Sequence, residues 1–273
     1  MNFTEKLKAA WEANQTLVCV GLDPDAERIP ASVRGSKHPY FEFCRHIVDA
    51  TAPYVCSFKP QFAHFAAVGR EDELGMVLTY IAEHYPGHVT ILDAKRGDIG
   101  STAQFYAQEA YVRYAADAVT VNPFFGYDSI APYLEFDGKG VVLLCRTSNA
   151  HSDWIQNDPT HATPVFKKIA QAAVEWNTDG QFALVTGATY PQELAAIRDV
   201  IGDMPLLVPG IGAQGGDLGQ VLEAGLDQRS QGLMISSSRN IIYAVESAQS
   251  DDFAQAAGEA AKMLTDEINA LRT

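Results

Sequence analysis

A chain of 273 residues, 47% of them hydrophobic, can bury one large core, and its 34 acidic against 20 basic side chains leave a formal net charge of −14 at pH 7. That surface repels polyanions, which argues against nucleic acid or an anionic membrane as partner, so an anionic ligand would need a local cationic pocket. No run approaches the roughly 20 apolar residues of a membrane helix. The opening Met1-Asn2-Phe3-Thr4-Glu5-Lys6 also lacks the basic and apolar regions of a signal peptide. A soluble, cytoplasmic protein is expected.

Apolar runs rich in Val, Ile and Leu alternate with segments of helical periodicity. In chain order they predict strand 16–22, helix 41–54, strand 55–58, helix 72–85, strand 89–93, helix 102–114, strand 118–122 and helix 129–136. Strand 140–145, helix 165–176, strand 182–186, helix 191–201, strand 206–209, helix 217–224, strand 233–236 and helix 251–271 follow. Strands that alternate with helices pair in parallel through right-handed crossovers, and eight such units in this length fit a closed (β/α)₈ TIM barrel better than an open doubly wound sheet. No linker or compositional break divides the chain, so residues 1–273 are expected to form a single barrel domain of α/β class with N-terminal and C-terminal helical extensions. The long irregular stretches 24–39 and 148–164 follow the first and fifth strands, at the rim where barrel enzymes build their sites.

Cys19, Cys44, Cys56 and Cys145 show no C-x-x-C spacing and are expected to be buried thiols. The seven histidines offer no H-E-x-x-H pattern, and Pro86-Gly87 breaks any helix between His84 and His88.

Charged groups collect at the predicted strand ends. Gly21-Leu22-Asp23-Pro24 closes the first strand with a carboxylate suited to a sugar hydroxyl, although Asp-Pro also starts ordinary turns. Lys59 closes the second, where Pro60 should break the ladder and begin a rim loop; a snorkelling surface lysine is the plainer alternative. Asp93-Ala94-Lys95-Arg96-Gly97-Asp98 closes the third. Asp93 and Lys95, two apart, should share a face, and alternating charges in one small volume hold one another ionised. The structural alternative is an ordinary ion pair with Asp98 at the start of a helix, ahead of the capping-box pattern Ser101-Thr102-Ala103-Gln104. After the fifth strand, Arg146-Thr147-Ser148-Asn149 offers polar groups that could read the edge of a heterocycle. After the seventh and eighth, the glycine-rich 208–216 with Gln214, and Ile235-Ser236-Ser237-Ser238-Arg239, suggest a phosphate site built from backbone N–H groups, an amide and a guanidinium.

Taken together, G-L-D-P, F-K-P, D-A-K-R-G-D-I-G-S-T, V-N-P, P-G-I-G-A-Q-G-G and S-S-S-R, in order from about residue 17 to 243, resemble the orotidine 5′-phosphate decarboxylase family. The long rim segments and residues 227–231 look like its longer bacterial branch. The resemblance implies a homodimeric barrel that converts orotidine 5′-phosphate to uridine 5′-phosphate and CO₂ in pyrimidine synthesis, with no metal or organic cofactor. It also implies sites shared across the interface. Lys59, Asp93 and Lys95 would come from one subunit, with Asp98 and Thr102 reaching in from the other. Asp23 and Lys59 would hold the ribose, Ser148 the pyrimidine, and Gln214, Ser238 and Arg239 the phosphate, while Lys95 would stabilise and protonate the C6 carbanion. Two rivals share parts of the pattern. Mg²⁺-dependent hexulose-phosphate synthase and ketogulonate-phosphate decarboxylase relatives carry an acidic residue where this chain has Lys59, and a non-catalytic nucleotide-binding barrel would keep only the phosphate site.

Overall fold

The computed structural model describes residues 1–160, 162–211, 216–246 and 252–272. Its eight strands are β1 (Val18–Leu22), β2 (Ser57–Pro60), β3 (Val89–Arg96), β4 (Ala118–Val121), β5 (Gly140–Arg146), β6 (Phe182–Thr186), β7 (Leu206–Pro209) and β8 (Leu233–Ser237). Each pairs in parallel with the next, and β8 returns to β1. That last pairing closes the expected barrel and excludes the open sheet. Strands enclosed by helices outside and packed side chains inside need apolar groups on both faces, which is why they read as continuous runs; every residue of β1 and β6 is buried.

Two boundaries depart from the sequence reading in ways that matter to the site. Pro60 does not break the ladder but occupies the last position of β2, opposite Leu22, where its missing N–H costs little; Gln61 still donates its N–H to Leu22 O at 3.2 Å, bridges Asp93, and caps the helix Phe62–Ala66 that follows at once. β3 does not stop at Asp93 but runs to Arg96, with its register against β4 shifting between Leu92 and Arg96. The helix expected at 102–114 is Gly100–Gln108 followed by one π turn, Glu109–Arg113. Its capping box does not form: Ile99 is the N-cap, without a side-chain bond, and Gly100 enters the helix at φ +55. The helices Ala31–Arg34, Phe62–Ala66, Asp153–Gln156 and Arg239–Ile242 are too short to give a periodic signal.

The N-terminal helix Phe3–Asn14 begins with a reciprocal capping box between Asn2 and Glu5 and buries Phe3, Leu7 and Trp11. Its contacts fall on residues just ahead of strands: Thr4 N donates to Gly180 O at 3.1 Å, Lys6 pairs with Asp117 at 2.7 Å and Lys8 with Asp203 at 3.0 Å. A Cβ on Gly140, the first residue of β5, would lie 2.3 Å from the Phe3 ring. This helix therefore plugs the amino-terminal end of the barrel. The C-terminal helix Phe253–Leu271 packs on Pro39–Thr51, where Gly258 lets Ala50 O come within 2.9 Å of the point a Cβ would occupy.

All four cysteines are free and buried. Burial pushes the Cys19 thiol up to about 11 and that of Cys56 to about 12, so both remain protonated. Among the described residues, no helix is long and apolar enough to cross a membrane.

Candidate active site

At the carboxyl ends of the strands Asp93 is the centre of a charged cluster. One oxygen accepts from Lys59 Nζ at 2.7 Å and Gln61 Nε2 at 3.1 Å, and the other from Lys95 Nζ at 2.6 Å and the Thr120 hydroxyl at 3.0 Å. The two side chains of the Lys59–Asp93 pair are nearly inaccessible, at 7% and 8%, whereas that of Lys95 is 49% exposed. Burial alone would raise the Asp93 carboxyl, but the charges of Lys59 and Lys95, with their hydrogen bonds, hold it well below the usual range. Burial likewise opposes the Lys59 ammonium, and the charges of Asp93 and Asp23 outweigh it, so its proton is held more tightly than that of a free lysine. Two lysines coexist here because a carboxylate separates them.

The backbone beneath this cluster is unusual. Lys95 has φ +48, in the left-handed region that non-glycine residues seldom enter. It lies inside the register shift, where β3 advances from Leu92 to Arg96 while β4 advances only from Val119 to Val121. The extra residues re-aim the strand end, as bulges near functional sites do.

Beside the cluster lies a cavity of about 180 Å³ lined by Asp23, Lys59 and Asp93 on one side and by Gly210, Ser238 and Arg239 on the other. One carboxylate oxygen of Asp23 is buried and makes no hydrogen bond among the described residues. Such an acceptor is ready for a hydroxyl. The loop bearing it is tied to the opposite wall by Tyr243, whose hydroxyl donates to Asp23 O at 3.3 Å and accepts from Asp25 N at 2.7 Å. Arg28 stacks 3.7 Å over the Tyr243 ring and makes a two-pronged bond to Glu246. Arg239, exposed at the start of a short helix, offers a guanidinium at the cavity mouth.

Other residues expected at the site stand apart. Asp98 accepts from Ile99 N at 2.8 Å, Thr102 is exposed on the helix that follows, and neither lines this cavity. Ser148 packs against Gly187, where a Cβ would come within 2.7 Å of its own. Arg146, from the same rim motif, is fully buried and cannot read a ligand edge. It bonds Ser152 and Asp153 and stacks 3.7 Å from the Tyr190 ring centre, pinning residues 147–156 to the barrel. Gln214 lies outside the described residues. Sequence reasoning missed Gln61, Thr120 and Tyr243. Gln61 directly follows the F-K-P motif, but an isolated strand threonine carries no comparable signal.

A larger cavity of about 540 Å³, around Arg198, Asp203, Asp227 and Arg229, lies at the amino ends of β7 and β8. The Arg198 guanidinium there is committed to the carbonyls of Gly202, Met204, Gly225 and Gly232. The smaller, charged cavity, on the face where barrel enzymes keep their chemistry, is therefore the candidate active site.

Eight parallel strands closed into a barrel, with a lysine–carboxylate cluster and glycine- and serine-rich loops at their carboxyl ends, define a (β/α)₈ barrel of enzyme type. The sequence profile described as orotidine 5′-phosphate decarboxylase / HUMPS family matches residues 16–250, and the chain belongs to this family. It is 54% identical to the orotidine 5′-phosphate decarboxylase of Ralstonia pickettii (strain 12J), over the whole of both chains. With the enzyme of that name from Cupriavidus metallidurans it is 52% identical, over all of this chain and 99% of the other. Among solved structures, the orotidine monophosphate decarboxylase of Leishmania donovani superimposes with a TM-score of 0.85 at 34% identity, covering 100% of this chain and 99% of that one.

Proposed function

We propose that this chain is a carboxy-lyase that decarboxylates orotidine 5′-phosphate to uridine 5′-phosphate and CO₂ in pyrimidine synthesis, using only its own side chains. The observation that carries the reading is the Lys59–Asp93–Lys95 cluster at the strand ends of a chain 54% identical to a decarboxylase of that name.

Cleavage of the bond between C6 and the carboxylate leaves the electron pair on C6, where the ring cannot delocalise it as a simple enolate. The Lys95 ammonium, half exposed and held by Asp93, stabilises that charge, transfers a proton to C6, and is reprotonated from solvent. The substrate carboxylate faces Asp93. At ~4 Å and an effective dielectric of ~20 their repulsion is about 4 kcal/mol, too little to account for catalysis alone, so most of the effect is preferential stabilisation of the transition state. The Asp23 oxygen that has no partner among the described residues takes ribose hydroxyls together with Lys59. Ser238 and Arg239, with Gln214, hold the phosphate, and Ser148 meets the pyrimidine. These remote contacts supply binding energy for positioning.

Completion of the site by Asp98 and Thr102 of a second copy is supported by an exposed apolar face nearby. Ile99, Phe105, Val112, Phe124, Phe125 and Tyr127 are all open to solvent, Phe124 by 73%. A homodimer would cover them. A cytoplasmic setting accords with four unpaired thiols.

Purified protein treated with EDTA should bleach the ultraviolet absorbance of orotidine 5′-phosphate. Turnover that requires added Mg²⁺ would instead favour the hexulose-phosphate branch, and tight binding of uridine 5′-phosphate without turnover would favour a binding barrel.

A further inference from the structure

Thr120 is buried in β4 (1% exposed), facing the register shift that carries Lys95. At that shift β3 holds more residues than β4 can match, so N–H groups of the surplus residues lose their ladder acceptors. The Thr120 hydroxyl supplies the replacement. It accepts from Ala94 N at 3.0 Å and from Lys95 N at 2.9 Å, and it donates its proton to Asp93 at 3.0 Å. A hydroxyl has one proton and two lone pairs, so all of its capacity is used. The ladder then resumes with Asn122 N on Arg96 O at 2.7 Å.

We infer that Thr120 is a positioning residue for the proposed decarboxylation: its hydroxyl fixes the left-handed backbone of Lys95 and the orientation of Asp93 together, and so aims the Lys95 ammonium. The inference rests on the function proposed above. Lys95 at φ +48 is sparsely populated and persists only where surrounding bonds over-determine it. Two of those bonds end on one oxygen, and the third reaches the carboxylate that holds the ammonium. Without the hydroxyl, two half-buried N–H groups and one carboxylate lobe lose a partner, and the left-handed turn loses its lock.

Thr120→Val keeps the shape and removes the hydroxyl; Thr120→Ser keeps the hydroxyl. We expect kcat of Thr120→Val to fall on the order of 100-fold, the penalty for misplacing a reacting group by about 1 Å. KM for orotidine 5′-phosphate and affinity for uridine 5′-phosphate should stay near those of the unaltered protein, and Thr120→Ser should keep kcat within a few-fold. A purely structural threonine would instead lower thermal stability and the amount of active protein without separating kcat from KM. Folded Thr120→Val that binds uridine 5′-phosphate normally and keeps wild-type kcat would overturn the inference. Should Thr120→Val not fold, Thr120→Ala carries the same test. A kcat no lower than that of Thr120→Ser rejects the positioning role, and a lower kcat at normal product affinity supports it. Absence of turnover in the unaltered protein would refute the proposed function itself, an outcome distinct from any of these.

Discussion

Gly21 on β1 and Ser238 beyond β8 share one space: a Cβ on Gly21 would lie 1.8 Å from the Ser238 hydroxyl oxygen. The glycine is required by close approach, since any larger residue must push the serine out of place. Gly21→Ala should therefore disturb the proposed phosphate wall and raise KM for orotidine 5′-phosphate about tenfold or more, the worth of one charge-assisted hydrogen bond. Adding Ser238→Gly should recover part of the lost stability but not the phosphate contact. Steady-state kinetics and melting curves of the single and double variants check this, and an unchanged KM in Gly21→Ala would contradict it.

Lys95→Ala should abolish turnover while much of the phosphate-driven affinity for uridine 5′-phosphate survives, because the ammonium serves the transition state rather than the bound product. Single-turnover absorbance and calorimetric titration separate the two quantities. Near-normal decarboxylation would remove Lys95 from the role of acid.

Inactive Asp98→Ala and inactive Lys95→Ala subunits should regain partial activity when mixed, because a heterodimer then assembles one complete site. Phe124→Asp, which puts a charge on the most exposed side chain of the apolar face, should shift sedimentation toward the monomer and lower activity in dilute solution. If subunits demonstrably exchange and no activity returns, the shared site is wrong.

The buried Lys59–Asp93 pair should be insensitive to pH across the neutral range. Asp93 is held below its ordinary 3.8, so its contribution to stability is complete above that pH and is lost as pH falls toward the lower native value. Lys59 is held above its ordinary 10.5; its contribution is complete below that pH and is lost as pH rises toward the higher native value. His88 behaves differently. Packed against Phe58 and Tyr85, with Nε2 at 2.8 Å from Ala52 O, it is pushed below 6.5 chiefly by burial, and the Lys6 charge adds to the shift. The native state thus resists protonation, and stability should decline as pH drops below 6.5. Denaturant midpoints at about pH 5 and about pH 7.5 test the sign, and His88→Gln should flatten the difference.

Strand–helix alternation was legible in the chain because buried parallel strands leave long apolar runs, and residues 182–186 and 206–209 fall where they were expected. The charged cluster was legible as far as composition at strand ends goes. Its geometry was not. Asp93 and Lys95 meet through a register shift and a left-handed residue that simple alternation does not foresee. Thr120 and Gln61 act through hydrogen bonds between neighbouring strands, which single-strand patterns do not encode. Arg146 reads as a rim cation in sequence, yet in the fold it is the buried anchor of a loop. The Ser101–Gln104 pattern satisfies the capping-box formula, but the chain enters that helix earlier, through Gly100.

The N-terminal helix gives the barrel a floor at the mouth opposite its chemistry, with Phe3, Leu7 and Trp11 as the stopper. Trimming the first dozen residues would let water into the hydrophobic interior from below and weaken the molecule without touching any residue of the proposed site. An affinity tag fused ahead of Met1 would sit on this side, at the opposite pole from the reacting groups.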